Sequence, residues 1–254
     1  MKDIICGVQL YTLRKYGKTP EAVGEVFRKV SETGAKTVQV SGLCSVPAET
    51  LKRYSEETGM SICCTHSPFK RIREDLPRLA EEHLTMGSKI IGIGMMPGEF
   101  RSDGYKRLPE FIDFLNETSL KLQEYSLTLA YHNHNFEFHR FGEEVIYDKM
   151  IKETRPEVGF IMDTYWVKFA GASIEEYLGK LKGRLPVIHL KDYKKCVLPL
   201  MKPLGKGILP FPEILDKAIE GGTKYAVFEL DFSRNPYKAV EISMEYLKKT
   251  GYLR

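Results

Sequence analysis

The sequence predicts a single (β/α)8 barrel, the α/β fold also called a TIM barrel, on three observations. Eight short apolar runs recur at a steady interval along the chain. The segments between them carry apolar residues every three or four positions, and 254 residues suffice for one barrel of roughly 250 residues. Strand, helix and strand in repetition make a parallel sheet. An open doubly wound sheet shares this alternation, but it usually follows its first strand with a glycine-rich phosphate loop. Here that position reads QLYTLRKYG. The closed barrel is the expected architecture, with residues 1–254 as one domain.

In chain order, strands are expected near Ile4–Tyr11, Thr37–Ser41, Ser61–His66, Ile90–Gly94, Leu127–His132, Val158–Asp163, Val187–Lys191 and Tyr225–Asp231. Segments such as EAVGEVFRKVSETG, DLPRLAEEHLTMG and FIDFLNETSLKLQEYS read as helices with one buried stripe. Gly34, Gly59, Gly87 and Gly221 follow such segments, where a left-handed residue is expected to end the helix. No Pro/Gly/Ser-rich linker or low-complexity tract interrupts the pattern, so no internal domain boundary is expected.

Hydrophobic residues make up 43% of the chain and charged residues 28%, enough apolar material for a sizeable core. The formal charge of +4 is spread, with Lys and Arg interleaved among Asp and Glu, which argues against a nucleic-acid partner. Five cysteines (Cys6, Cys44, Cys63, Cys64, Cys196) with no CxxC spacing fit a reduced, cytoplasmic setting. MKDIICGVQLYTLRKYG shows no signal-peptide pattern, and no apolar run is long enough to span a membrane. Homo-oligomerisation stays open.

Alternate strand residues face opposite sides, so strand parity separates the barrel interior from the helix-facing side. In LTLAYHNH, Thr128, Ala130, His132 and His134 oppose Leu127, Leu129 and Tyr131, and the small and polar set is expected inside. The same test groups Gly159, Ile161 and Asp163; Val187, His189 and Lys191; and Tyr225, Val227, Glu229 and Asp231. Gln9, Gln39 and His66 fall near the ends of the first three strands. A lone strand-end Asp commonly caps the next helix, and a lone His is commonly structural. Four consecutive strands ending inward with ionisable groups instead point to one site at the C-terminal mouth.

The markers GVQLYTL, YHNHNFEF, MDTYW, GRLPVIHLKD, LGKGILPF and VFELD, in this order, resemble the sugar phosphate isomerase/epimerase family. These are the xylose isomerase-like barrels, which also include tagatose epimerases, inosose dehydratases and endonuclease IV. The resemblance runs almost end to end. In that family a Glu, an Asp, a His and a second Glu from strands five to eight hold a metal. Carried over, the last three are Asp163, His189 and Glu229. Strand five departs from the pattern: His132 occupies the aligned position, Glu137 is the nearest carboxylate, and His134 is a third candidate. Carboxylates and imidazoles without a thiolate admit Mn²⁺, Mg²⁺, Co²⁺ or Zn²⁺, and the resemblance favours Mn²⁺.

The resemblance implies an isomerase or epimerase that abstracts a proton beside a sugar carbonyl while the metal stabilises the enediolate. The runner-up is a lyase or dehydratase acting on a keto-sugar or inosose. Glu229 is the expected proton-transfer group, with Glu137 or His66 replacing the family's second glutamate. His66 equally suits hydroxyl binding, alongside Gln9, Gln39 and His134. Lys191 is expected to bind a substrate hydroxyl, carboxylate or phosphate, or to pair with Asp231 or Glu229. Trp166, the only tryptophan, is read as a sugar platform or as packing beneath its loop, and Arg184 as a brace at the opposite face. LGKGILPF is glycine-rich but isolated, and does not compel a phosphate. DNA cleavage is disfavoured, because the six histidines include His83 on a helix and His139 past the mouth. A sugar-binding barrel without turnover is the non-enzymatic alternative.

Overall fold

Eight parallel strands close on themselves in the computed structural model, which describes residues 3–196 and 200–253. They are β1 (Ile5–Gln9), β2 (Thr37–Val40), β3 (Ser61–His66) and β4 (Ile90–Ile93), then β5 (Thr128–His132), β6 (Gly159–Asp163), β7 (Val187–Leu190) and β8 (Tyr225–Phe228). Each pairs with its sequence neighbours, and β8 closes the ring on β1 with Val8 opposite Phe228. The barrel read from the alternation is the fold. Its outer ring includes helices Pro20–Ser31, Ala48–Thr58, Leu76–Met86, Leu108–Gln123, Phe211–Glu220 and Pro236–Lys249.

Strand parity divides the apolar residues into two cores. The larger packs Leu129, Tyr131, Phe160, Met162, Ile188, Leu190 and Phe228 against the helices. The smaller, of Cys63, Cys64, Ile90, Ala130, Ile161, Val187 and Val227, plugs the barrel interior. Cys63 and Cys64 are consecutive yet both face inward, because a bulge opposite Val38 and Gln39 inserts Cys63 as an extra residue. The bulge also resets the parity of β3, so that His66 ends inward.

Strand ends lie within one residue of the sequence reading except at two places, and one helix stop moves. β1 stops at Gln9 because Gln9 Oε1 accepts from Tyr11 N at 3.2 Å and starts the 3₁₀ turn Leu10–Leu13. β8 stops at Phe228, and Glu229–Asp231 continue beyond the ladder. Gly34, Gly59 and Gly87 take the left-handed conformation, but Gly221 is right-handed (φ −78°) and Gly222 makes the turn instead (φ +89°). Among the described residues, no helix is long and apolar enough to cross a membrane. Cys6, Cys44, Cys63 and Cys64 are free thiols.

Candidate metal centre

Parity and register bring four side chains together at the C-terminal mouth. Asp163 ends β6 directly opposite His189 on β7, His189 lies opposite Val227 on β8, and Glu229 follows two residues later. His132 completes the set from the end of β5. One ligand atom from each of His132, Asp163, His189 and Glu229 lies within 4.8 Å of the others, and all four residues are buried.

The hydrogen bonds set the tautomers. His132 Nδ1 lies 3.1 Å from the Gly94 carbonyl oxygen. A carbonyl only accepts, so Nδ1 carries the proton and Nε2 turns its lone pair toward Asp163 Oδ2, 3.4 Å away. His189 Nε2 donates to Gln39 Oε1 at 2.6 Å, which leaves the Nδ1 lone pair facing Glu229 Oε2 at 2.9 Å. A neutral imidazole whose lone pair faces a buried carboxylate is arranged to share a cation with it. Outer acceptors that orient imidazoles in this way are the usual second layer of a metal centre. The chemistry of the donor set therefore fits a divalent ion.

Lys191 is woven into the same oxygens. Its ammonium is 3.1 Å from Asp163 Oδ2, 3.0 Å from Glu229 Oε2, and 2.9 Å from Asp231 Oδ1. Although burial opposes it, Asp163, Glu229 and Asp231 raise the Lys191 pKa and keep it protonated. In turn, against the upward push of burial, the Lys191 ammonium holds Asp163 and Glu229 below the ordinary carboxylate range, Glu229 well below it. Asp231 moves up to about 6, driven by burial and then by Glu229. Three carboxylates against one ammonium leave two negative charges, the complement of a divalent ion. The second Asp163 oxygen caps helix Thr164–Phe169, accepting from Tyr165 N and Trp166 N at 2.9 and 3.1 Å. Glu229 Oε1, by contrast, has no hydrogen bond to the described residues.

Glu137 stands outside this group. Its carboxylate is fully buried, accepting from the Tyr131 hydroxyl and, at 2.8 Å, from His134 N. Tyr131 faces the helices rather than the interior, so Glu137 is held behind β5, where burial raises its pKa to about 7. The His66 ring is 5.1 and 5.5 Å from those of His132 and His189. Burial, then His132 and His189, depress its pKa well below 6.5. It is neutral near pH 7, which suits hydrogen bonding better than proton storage.

Among the described residues, several buried polar atoms around the cluster lack a partner: Gln9 Nε2, Gln39 Nε2, His66 Nε2, His134 Nδ1 and Trp166 Nε1. Buried orphans are costly and rare in a finished core, and these leave hydrogen-bonding capacity open at the mouth. The Trp166 ring lies 5.6 Å from His134 and 5.7 Å from Lys191 Nζ. A cavity of about 460 Å³ above them is lined by Tyr11, His66, His132, His134, Lys191 and Glu229, among others. Gly94 makes room for His66, since a Cβ there would come within 2.8 Å of His66 Nδ1.

Residues 27–250 match the model of the xylose isomerase-like TIM barrel family. The chain belongs to that family. It is 23% identical over 277 aligned positions to an inosose dehydratase of Geobacillus thermodenitrificans, covering 92% of this chain and 91% of the relative. A sugar phosphate isomerase/epimerase structure from Parabacteroides distasonis superposes with a TM-score of 0.80 at 24% identity, covering 99% of this chain and all of the other. The IolI protein, solved with a zinc atom, superposes at 0.73 and 13% identity, covering 98% of each chain.

Two family markers have local explanations that parity did not supply. In HLKD and LGKGILPF, Asp192 accepts from Gly207 N at 2.8 Å and Leu209 N at 3.1 Å. A Cβ at Gly207 would fall 2.3 Å from Asp192 Oδ1, so this glycine-rich loop is closed on Asp192. Arg184 braces the far end of the barrel, donating to the carbonyls of Val158, Ile151 and Arg155 and to Thr154 Oγ1. His83 is structural, bonded to Thr65 Oγ1 and the Leu79 carbonyl.

Proposed function

We propose that His132, Asp163, His189 and Glu229 hold a divalent metal and that the barrel abstracts a proton beside the carbonyl of a sugar or keto-sugar, as an isomerase or epimerase. The carrying observation is the pair of imidazole lone pairs aimed at buried carboxylates. Two imidazoles and two carboxylates suit zinc or cobalt better than magnesium, with manganese also accommodated. When bound, the ion supplies Lewis acidity, polarising neighbouring substrate oxygens and offsetting charge as the carbon-bound proton leaves.

The protein's own groups divide the remaining work. Glu229 Oε1, without a hydrogen bond to the described residues, accepts the proton, while Oε2 faces the His189 lone pair and is held by Lys191. Gln9, Gln39, His66, His134 and Trp166 offer their unpartnered atoms to hydroxyl groups. Lys191 stays protonated and places a fixed positive charge beside the reacting oxygens. Glu137 positions the turn after β5 through the His134 amide.

A dehydratase is the second reading, and one observation favours it. His132 replaces the second carboxylate of a two-glutamate proton shuttle, so that one carboxylate, Glu229, both takes the carbon-bound proton and can return it to a departing hydroxyl. The inosose dehydratase relatives agree with it. The test is incubation of the metal-loaded protein with ketoses and inososes in D2O. Carbon-bound deuterium with unchanged composition identifies an isomerase or epimerase, and loss of water identifies a dehydratase. Full metal occupancy without exchange from any sugar would reduce the protein to a binding barrel.

A further inference from the structure

A second cavity, of about 410 Å³, opens on the β8–β1 side of the mouth, lined by Arg14, Lys15, Asp231, Phe232, Ser233 and Arg234, among others. It is adjacent to the first, since Asp231 and Phe232 line both. Arg14 forms the seam. Its guanidinium donates to the Tyr11 carbonyl at 3.0 Å and the Asp231 carbonyl at 2.8 Å, and it lies 4.1 Å over the Tyr11 ring.

The charges here are arranged unlike those elsewhere on the surface. Cations on the helices are commonly matched by a carboxylate within a turn, as in Arg28 with Glu25, Arg107 with Glu110 and Lys238 with Glu241. Among the described residues, Arg14, Lys15 and Arg234 have no such partner. The one carboxylate lining this cavity, Asp231, is already taken by Lys191 at 2.9 and 3.1 Å. Arg14 is pre-organised by its two backbone bonds and keeps further N–H donors free. Between the cavities stands Phe232, 82% exposed, an apolar surface of the kind that the C–H face of a sugar covers.

We propose that this cavity binds an anionic substituent of the substrate, a phosphate or a carboxylate, with the sugar crossing Phe232 to reach Glu229. The inference rests on the first cavity being the sugar site. With a divalent ion bound the inner carboxylates and Lys191 sum to neutral, whereas Arg14, Lys15 and Arg234 leave the outer cavity positive. The anionic end of the substrate is therefore drawn to the outer cavity.

The test measures inorganic phosphate and acetate binding to the whole chain by titration calorimetry, without added metal and at fixed ionic strength. Wild type is compared with a Lys15→Ser/Arg234→Ser double variant. Both side chains are exposed, and an unchanged melting temperature verifies the fold; Arg14 is kept because it ties two loops together. At least one anion should bind saturably, at least tenfold more weakly in the variant. Phosphate alone would indicate a phosphorylated sugar, and acetate alone an acid sugar. Binding of neither anion, or equal binding by both proteins, would overturn the proposal. The D2O assay with neutral sugars is read separately: exchange without anion binding sinks this inference only, and anion binding without exchange sinks the proposed reaction only.

Discussion

Replacing Lys191 by Met tests the electrostatics of the site most directly. The ammonium is 2% exposed and lies within 3.1 Å of Asp163, Glu229 and Asp231. Met fills similar space but leaves three buried carboxylates without their cation. Removing one partner from such a buried pair costs about 3–5 kcal/mol. At about 2–4 °C per kcal/mol for a chain of this size, the metal-free variant should melt about 6–20 °C lower. The deficit should depend on pH with a definite sign. In the wild type, Asp163 and Glu229 titrate below the ordinary range, so their stabilisation is present above that range and is lost on acidification. In the variant, burial without the ammonium raises these carboxyls, and their cost is relieved as pH falls. The gap between the proteins is therefore widest near pH 7–8 and narrows toward pH 4. Added Zn²⁺ or Mn²⁺ at about a hundredfold excess over Kd should restore about 2.7 kcal/mol. The variant should also bind the ion more tightly, because no ammonium competes for Oδ2 and Oε2. Calorimetric melting with and without metal at several pH values decides the matter. A metal-free variant as stable as wild type at pH 8 would refute the reasoning.

Other substitutions separate ligands from supports. His132→Ala should lose most bound metal by elemental analysis, whereas Glu137→Gln should retain it; the reverse pattern would return the fourth ligand to Glu137. Because burial raises the Glu137 pKa to about 7, wild-type stability should fall between about pH 4.5 and 7, by on the order of 3 kcal/mol from this group. Glu137→Gln should flatten that part of a stability-versus-pH curve. Glu229→Gln, reconstituted with metal, should lose solvent exchange into substrate while keeping its circular dichroism, and wild-type exchange by the loaded variant would exclude Glu229 as the base. Gln39→Leu removes the acceptor for His189 Nε2 and should weaken metal affinity by about 10–100-fold in a competition titration with a chelator.

The sequence was most legible where geometry is periodic. Apolar runs alternating with amphipathic segments imply the barrel. The two-residue period of strands implies that Ala130, Ile161, Val187 and Val227 face inward, beneath His132, Asp163, His189 and Glu229. That much follows from local sterics, which send alternate side chains to opposite faces whatever surrounds them. The same logic failed on β3, where the bulge at Cys63 breaks the period and no residue type announces it. It also placed the helix stop at Gly221, whereas Gly222 makes the turn, since both residues tolerate the conformation.

The finer chemistry arises from atoms far apart in sequence. Gln39 meets His189 across 150 positions, and Gly94 meets His132 across 38. The tautomers that turn these imidazole lone pairs toward the carboxylates thus depend on barrel closure. Position alone made Glu137 the nearest carboxylate to strand five, but Tyr131 and the His134 amide hold it behind the strand, because a buried carboxylate goes where donors satisfy it. Lys191 was legible as a residue of the mouth that could pair with Asp231 or Glu229, but its simultaneous contact with both and with Asp163 was not. Local steric rules determined the fold and the faces of its strands, whereas long-range contacts, made only once β8 meets β1, decided the charge and proton positions on which the chemistry depends.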